Sequence, residues 1–214
     1  MSYPLSNDAL TLYAITDRYW LNGSRLADVV ENVLKNGATF LQLRDKEFSH
    51  EEMVQEAMEI KEIAARYRVP FVINDDIYAA KEIDADGVHI GQSDMEYQKA
   101  RQILGPDKII GISASTLEEA VAAEKAGADY IGVGAVFPTD TKADHIPVTF
   151  EELKQITDTV SIPVVAIGGI NADNLTKLAG TGIDGISVIS AIFAQPDPGI
   201  ATKELLARTK EILS

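Results

Sequence analysis

The stretch PVVAIGGINADNLTKLAGTGIDGISVISAIF, residues 163–193, decides the fold. It opens with a short apolar run rich in β-branched residues, 163–169, that ends in Gly168-Gly169. A helical segment is expected from near Asn171, and Gly182 and Asp184 then lead into a second run, 185–190. Ser190-Ala191 opens a further short helix. Two strands separated by a helix-length segment are joined by a crossover, so they run parallel. Working back towards the N-terminus, the same alternation recurs at 12–16, 40–44, 70–75, 87–91, 109–113 and 130–134. Eight strand signals with helical segments between them favour a closed single (β/α)8 TIM barrel of the α/β class. The alternative is an open, doubly wound sheet.

Start and stop signals agree with this reading. Ser24 is placed to cap the first helix and Asn36-Gly37 to end it. Ser49 with Glu51 and Glu52 opens a long helix that runs to Val69-Pro70, and Thr116 with Glu118 and Glu119 opens another, closing at Ala126-Gly127. A loose repeat places a small or acidic residue just before four strands, in 36–40, 84–88, 126–130 and 181–185. No linker or shift of composition interrupts the chain, so residues 1–214 are expected to form one domain.

With 33 acidic against 19 basic residues the formal charge is -14, which disfavours nucleic acid and anionic membranes as partners. It would also repel an anionic substrate, so any phosphate site must be built locally from placed cations, a metal and backbone N–H groups. Cysteine is absent, which removes disulfides, thiolate metal sites and a cysteine nucleophile. No apolar run is long enough to span a bilayer and the first ten residues do not read as a secretory signal, which fits a cytoplasmic protein.

Barrel enzymes place their chemistry at the C-terminal ends of the strands. Those positions are polar here while the strand interiors read as apolar: Thr16-Asp17, Gln42 to Lys46, Asn74-Asp75-Asp76, Gln92-Ser93-Asp94, Ser113, Thr139 to Lys142, Gly168-Gly169 and Ser190. Gly168-Gly169 and Ser190-Ala191 fall where barrels commonly bind phosphate, the bland reading being two tight turns. Asp75 and Asp94 suit a magnesium ion completed by phosphate oxygens and water, although Asp94 could equally cap a helix. Arg44, Lys46 and Lys142 are cations at strand ends, able to hold phosphate or to serve in ordinary salt bridges such as Arg44 with Asp45. Asn74 and Ser113 can hydrogen-bond a heteroaromatic ring or a phosphate, and Thr139 and Thr141 can donate to a second phosphate. The three histidines form no metal site: His50 is near a helix start, His145 in a loop, and His89 mid-strand, facing either the barrel or a helix. No nucleophile elbow, P-loop or dinucleotide fingerprint occurs.

Seven blocks in order resemble the thiamine-phosphate synthase family: Gln42-Leu43-Arg44-Asp45-Lys46, Ile73-Asn74-Asp75, residues 86–94, 110–113 and 132–142, Ala166-Ile167-Gly168-Gly169-Ile170, and Val188-Ile189-Ser190-Ala191-Ile192. The resemblance implies a Mg2+-dependent transferase that joins a pyrimidine diphosphate to a thiazole phosphate, releasing diphosphate. By motif position, Gln42, Leu43, Arg44, Asp45, Lys46, Asn74, Ser113 and Lys142 would hold the pyrimidine diphosphate. Thr139, Asp140, Thr141, Gly169, Ile189 and Ser190 would hold the thiazole phosphate, and Asp75 and Asp94 the magnesium. Arg44, Lys46, Lys142 and Ser113 would act in catalysis, with no protein nucleophile. Asp76 departs from the arginine common in the family and Thr149 from a glycine; Asp76 would add negative charge beside the metal. The stretch 142–147 is a candidate lid. Competing readings are a thiazole tautomerase of the same superfamily and a non-catalytic phosphate-ligand sensor.

Overall fold

The computed structural model describes residues 5–92, 94–139 and 147–214, with backbone only for Asn7, Asp94, Met95 and Glu96. Eight strands pair in chain order, all parallel: β1 (Leu12–Ile15), β2 (Phe40–Leu43), β3 (Phe71–Asn74), β4 (Gly87–Ile90), β5 (Ile109–Ala114), β6 (Tyr130–Val133), β7 (Val164–Ile167) and β8 (Gly185–Val188). β8 pairs back onto β1, Tyr13 opposite Ser187, which closes the barrel and removes the open-sheet alternative. Around it lie α1 (Leu26–Lys35), α2 (His50–Tyr67), α3 (Ile77–Glu82), α4 (Asp94–Leu104), α5 (Leu117–Ala126), α6 (Phe150–Thr159), α7 (Ser190–Phe193) and α8 (Pro198–Leu213).

Strands buried on both faces explain the near-continuous apolar runs. Outward-facing residues such as Leu41, Leu43, Ile73, Val88, Ile131 and Ile186 pack against the helices. Inward-facing Tyr13, Ile15, Phe40, Val72, Tyr130 and Val165, with Leu10 below, fill the lower barrel. Gly111 makes this possible: a Cβ there would stand 2.1 Å from Tyr130 Cζ.

The four-fold repeat has a physical basis at the barrel's N-terminal end. Phe71 N donates to Asp86 Oδ2 (2.8 Å) while Asp86 N donates to Phe71 O (3.0 Å). The same reciprocal pair joins Ile110 to Asp129, Val164 to Asp184 and, through a threonine hydroxyl, Leu12 to Thr39. Each odd strand is thus fastened to the next even strand by the residue preceding the latter. This satisfies an N–H at the start of the strand that would otherwise be left unpaired.

Two local expectations change. Ser24 is not the cap of α1: its N–H closes a turn onto Leu21 O (2.8 Å), and Arg25 takes the N-cap position without a side-chain bond. After β7 there is no α-helix at Asn171. Asn171 N bonds to Asn174 Oδ1, Asp173 N to Asn171 Oδ1, and Asn174 Nδ2 to Gly169 O, so side chains take over the backbone groups a helix would use. Only a 3-10 turn, Leu175–Leu178, follows. Two expected caps form: Ser49 makes a complete capping box with Glu52, and Thr116 accepts from Glu119 N. Thr149 with Glu152 adds a second complete box, which was not expected.

Candidate functional site

A cavity of about 300 Å³ opens at the C-terminal mouth of the barrel. Ten of the nominated residues line it: Gln42, Arg44, Lys46, Asn74, Asp75, Ser113, Thr139, Gly169, Ile189 and Ser190. Residues from six of the eight βα units therefore converge on one volume, although they lie up to 148 positions apart in the chain. A more open groove next to it shares Lys46, Asn74 and Asp75 and is also lined by Asp45, Asp76 and Lys99.

The cations are the distinctive feature in a chain of charge -14. Among the described residues neither the Arg44 guanidinium nor the Lys46 ammonium has an ion pair, while other arginines such as Arg18, Arg25, Arg66 and Arg101 do. The Arg44–Asp45 bridge does not form. Asp45 turns instead to Arg18, whose Nε lies 3.1 Å from Oδ2 in an ionic contact too poorly aligned for a hydrogen bond. Arg18 also holds Glu56 at 2.7 Å. Thr16, fully buried, accepts from Arg44 N through its hydroxyl (3.0 Å) and so fixes the strand end that carries the free guanidinium.

Asp75 sits at φ 60°, a left-handed conformation that aspartate tolerates better than most residues. Its N–H is held by His89 O (2.9 Å) and its carboxylate accepts from Asn74 Nδ2 (2.7 Å), which leaves carboxylate lone pairs available at the mouth. Gly168 (φ 99°) and Gly169 (φ 64°) are required by close packing as well as by their dihedrals. A Cβ on Gly169 would meet Pro138 O at 2.3 Å, and one on Gly168 would meet Ala135 at 2.5 Å.

Several expectations need correcting. Leu43 does not reach the cavity; its side chain is fully buried among the helices, because alternation turns it outward between Gln42 and Arg44. Asp45 lines the neighbouring groove only. Asp76 is occupied by structure: it accepts from Ala79 N (2.8 Å) as the cap of α3 and pairs with His50 Nδ1 (3.1 Å). Asp140, Thr141, Lys142, most of the 142–147 stretch and the side chain of Asp94 lie outside the described residues. Among the described residues no group of three or more histidine and carboxylate side chains could hold a metal ion.

Strand interiors are also less apolar than the sequence suggested. His89 faces into the barrel, 9% exposed; its Nε2 meets Ser113 Oγ (3.0 Å) and its Nδ1 meets Tyr130 OH (2.9 Å). Tyr130 OH meets Tyr13 OH (2.8 Å), and Gln42 Nε2 donates to Tyr13 OH. Burial raises the pKa of both phenols, so they stay protonated. Ser187, 2% exposed, lines the same cavity, and its Oγ has no hydrogen-bond partner among the described residues. The sequence offered only the alternation of β8 as a clue to Ser187.

A closed eight-stranded barrel with cations and a carboxylate gathered at its C-terminal mouth belongs to the TIM-barrel class, whose chemistry sits at that end. Residues 12–192 match the family described as thiamine monophosphate synthase. A thiamine-phosphate synthase of Clostridium novyi is 53% identical over 91% of this chain and 96% of its own length. One of Clostridium acetobutylicum is 50% identical over 89% and 90% respectively. The solved thiamine phosphate pyrophosphorylase of Pyrococcus furiosus superposes with a TM-score of 0.89 at 41% identity, covering 97% of this chain and 99% of that one. The chain belongs to the thiamine monophosphate synthase family.

Proposed function

We propose that residues 1–214 form one catalytic domain that joins a 4-amino-2-methylpyrimidinylmethyl diphosphate to a thiazole phosphate, giving thiamine phosphate and diphosphate. The observation that carries this reading is the pair of cations, Arg44 and Lys46, which form no ion pair among the described residues and share with Asp75 the mouth of a cavity in an acidic protein. They bind the diphosphate and stabilise the charge that develops on it as the C–O bond to the methylene carbon breaks. Gln42, Asn74 and Ser113 hold the aminopyrimidine, whose ring electrons stabilise the methylene carbon as diphosphate leaves. Thr139, Gly169, Ile189 and Ser190 anchor the thiazole phosphate so that its ring nitrogen faces that carbon and forms the new C–N bond.

The donor set fits magnesium. Asp75 offers a hard carboxylate at the mouth, and magnesium is usually held by one or two carboxylates together with substrate oxygens and water. Asp75 with Asp94, at the start of α4, would hold the ion. When bound, Mg2+ adds neutralisation of diphosphate charge. Asp140, Thr141 and Lys142 complete the assignment on family resemblance alone.

The test is diphosphate release from both substrates, with magnesium and with excess chelator. Release that needs magnesium and both substrates supports the proposal, and its absence under every condition overturns it. Asp75→Ala and Lys142→Ala are expected to lower turnover severely with the fold intact.

A further inference from the structure

Two cavity residues, Gln42 and Ser113, are joined across the barrel interior by a continuous chain of hydrogen bonds: Gln42 Nε2 to Tyr13 OH, Tyr13 OH to Tyr130 OH, Tyr130 OH to His89 Nδ1, and His89 Nε2 to Ser113 Oγ; of the three linking residues His89 also lines the cavity. Each phenol has a single proton, which burial keeps in place. A chain built this way has only two senses. If the Gln42 nitrogen donates to Tyr13, the Tyr13 proton must go to Tyr130 and the Tyr130 proton to His89 Nδ1. The imidazole then carries its proton on Nε2, donates it to Ser113 Oγ, and leaves the Ser113 proton for the cavity. With one N–H committed to Tyr13, Gln42 turns its amide oxygen and its second N–H to a ligand.

We propose that Tyr13, Tyr130 and His89 are positioning residues that set this sense, so that the cavity presents an acceptor at Gln42 and a donor at Ser113. The reversed chain would flip the Gln42 amide and present an N–H donor there and an acceptor at Ser113. The two senses favour different ligands. The sense proposed fits a heterocycle with an amino group next to an unprotonated ring nitrogen, and disfavours the oxo analogue with its N–H. That identification of the ligand edge rests on the function proposed above; the sense of the chain does not. Glycines make room for the chain: a Cβ on Gly111 would overlap the Tyr130 ring, and one on Gly132 would stand 3.3 Å from His89 Cε1.

Two measurements test it. In the free wild-type protein, ¹⁵N spectra of labelled histidine, with His89 assigned from the His89→Gln variant, are expected to show the Nε2–H tautomer. An Nδ1–H or doubly protonated ring overturns the proposal, whether or not the protein synthesises thiamine phosphate. In turnover assays, Tyr13→Phe and Tyr130→Phe each break the chain while keeping the ring. The preference for the aminopyrimidine diphosphate over its 4-oxo analogue is expected to fall by roughly 10- to 100-fold, mainly through a raised KM for the amino substrate. Active variants with unchanged preference and KM overturn it. A wild-type protein inactive with both pyrimidines refutes the proposed function alone, and the tautomer then decides the chain.

Discussion

Arg44 is the residue whose loss should be most informative, because it makes no ion pair with the described residues that removal would break. Arg44→Ala is expected to cost about 100- to 1000-fold in kcat, the size of effect seen when a preorganised charge-stabilising donor is deleted. Arg44→Lys should recover part of it, since a lysine supplies the charge without the bidentate fork. Steady-state kinetics with a matched unfolding curve would check both, and a variant with normal kcat would remove Arg44 from its assigned role. His50 makes a second case. Its hydrogen bonds to Asp76 and then to Glu82 raise its pKa above the ordinary 6.5. A raised folded value means this contribution to stability is full below the unfolded pKa and fades as pH rises through the higher folded value. An NMR titration should find His50 above 6.5 and Asp76→Asn should bring it back down; an unshifted His50 would refute the pairing. Arg44, Asp75 and Ser113 were legible in the sequence because polar residues at strand ends stand out against apolar runs. The inward orientation of His89 was not, since a lone mid-strand residue faces inward or outward according to a register that only barrel closure sets.

The strand pairs show how elements are secured. Asp86→Ala leaves the Phe71 N–H without its carboxylate at the N-terminal end of the barrel, and is expected to destabilise the protein by about 1–3 kcal/mol. Catalytic constants should be unaffected, because that end serves stability and the opposite end serves chemistry. Denaturant unfolding alongside kinetics would separate the two, and a loss of kcat/KM at unchanged stability would contradict it. The capping boxes of α2 and α6 add an acid limit. Bonds from the backbone and side chains of Ser49 and Thr149 lower the pKa of Glu52 and Glu152 below 4.5. Depressed carboxylates contribute stability above their unfolded pKa and lose it as pH falls through the folded value. Ser49→Ala should therefore cost about 1 kcal/mol at neutral pH. That cost should shrink in acid, as measured by chemical denaturation at both pH values. Elements of this kind were readable from caps and turn residues, whereas the segment after β7 was not, because side chains of Asn171 and Asn174 compete for the backbone in a way no periodicity reveals.

For the whole molecule, ligand binding and folding are linked. On the proposed assignment each substrate binds where six βα units meet, so saturation should stabilise the entire barrel. At a hundredfold excess over Kd the gain is about 2.7 kcal/mol, which for a domain of this size corresponds to a rise in Tm of roughly 5–10 °C. Differential scanning fluorimetry with the pyrimidine diphosphate and magnesium would show it, and Arg44→Ala should abolish it; an unchanged Tm at saturating ligand would argue that the mouth is not the binding site. Taken alone, the sequence determined the alternation of strands and helices, the polar rim and the family, because hydrophobic period, capping residues and motif order are local and survive being read one residue at a time. Only the tertiary structure decided that Leu43 turns away and that Asp45 is committed to Arg18. It also decided that Asp76 caps a helix and that Tyr13, Tyr130 and His89 link Gln42 to Ser113. Those outcomes depend on which residues closure of β8 onto β1 brings across the barrel, and contacts between positions as distant as Tyr13 and Tyr130 leave no trace in local spacing.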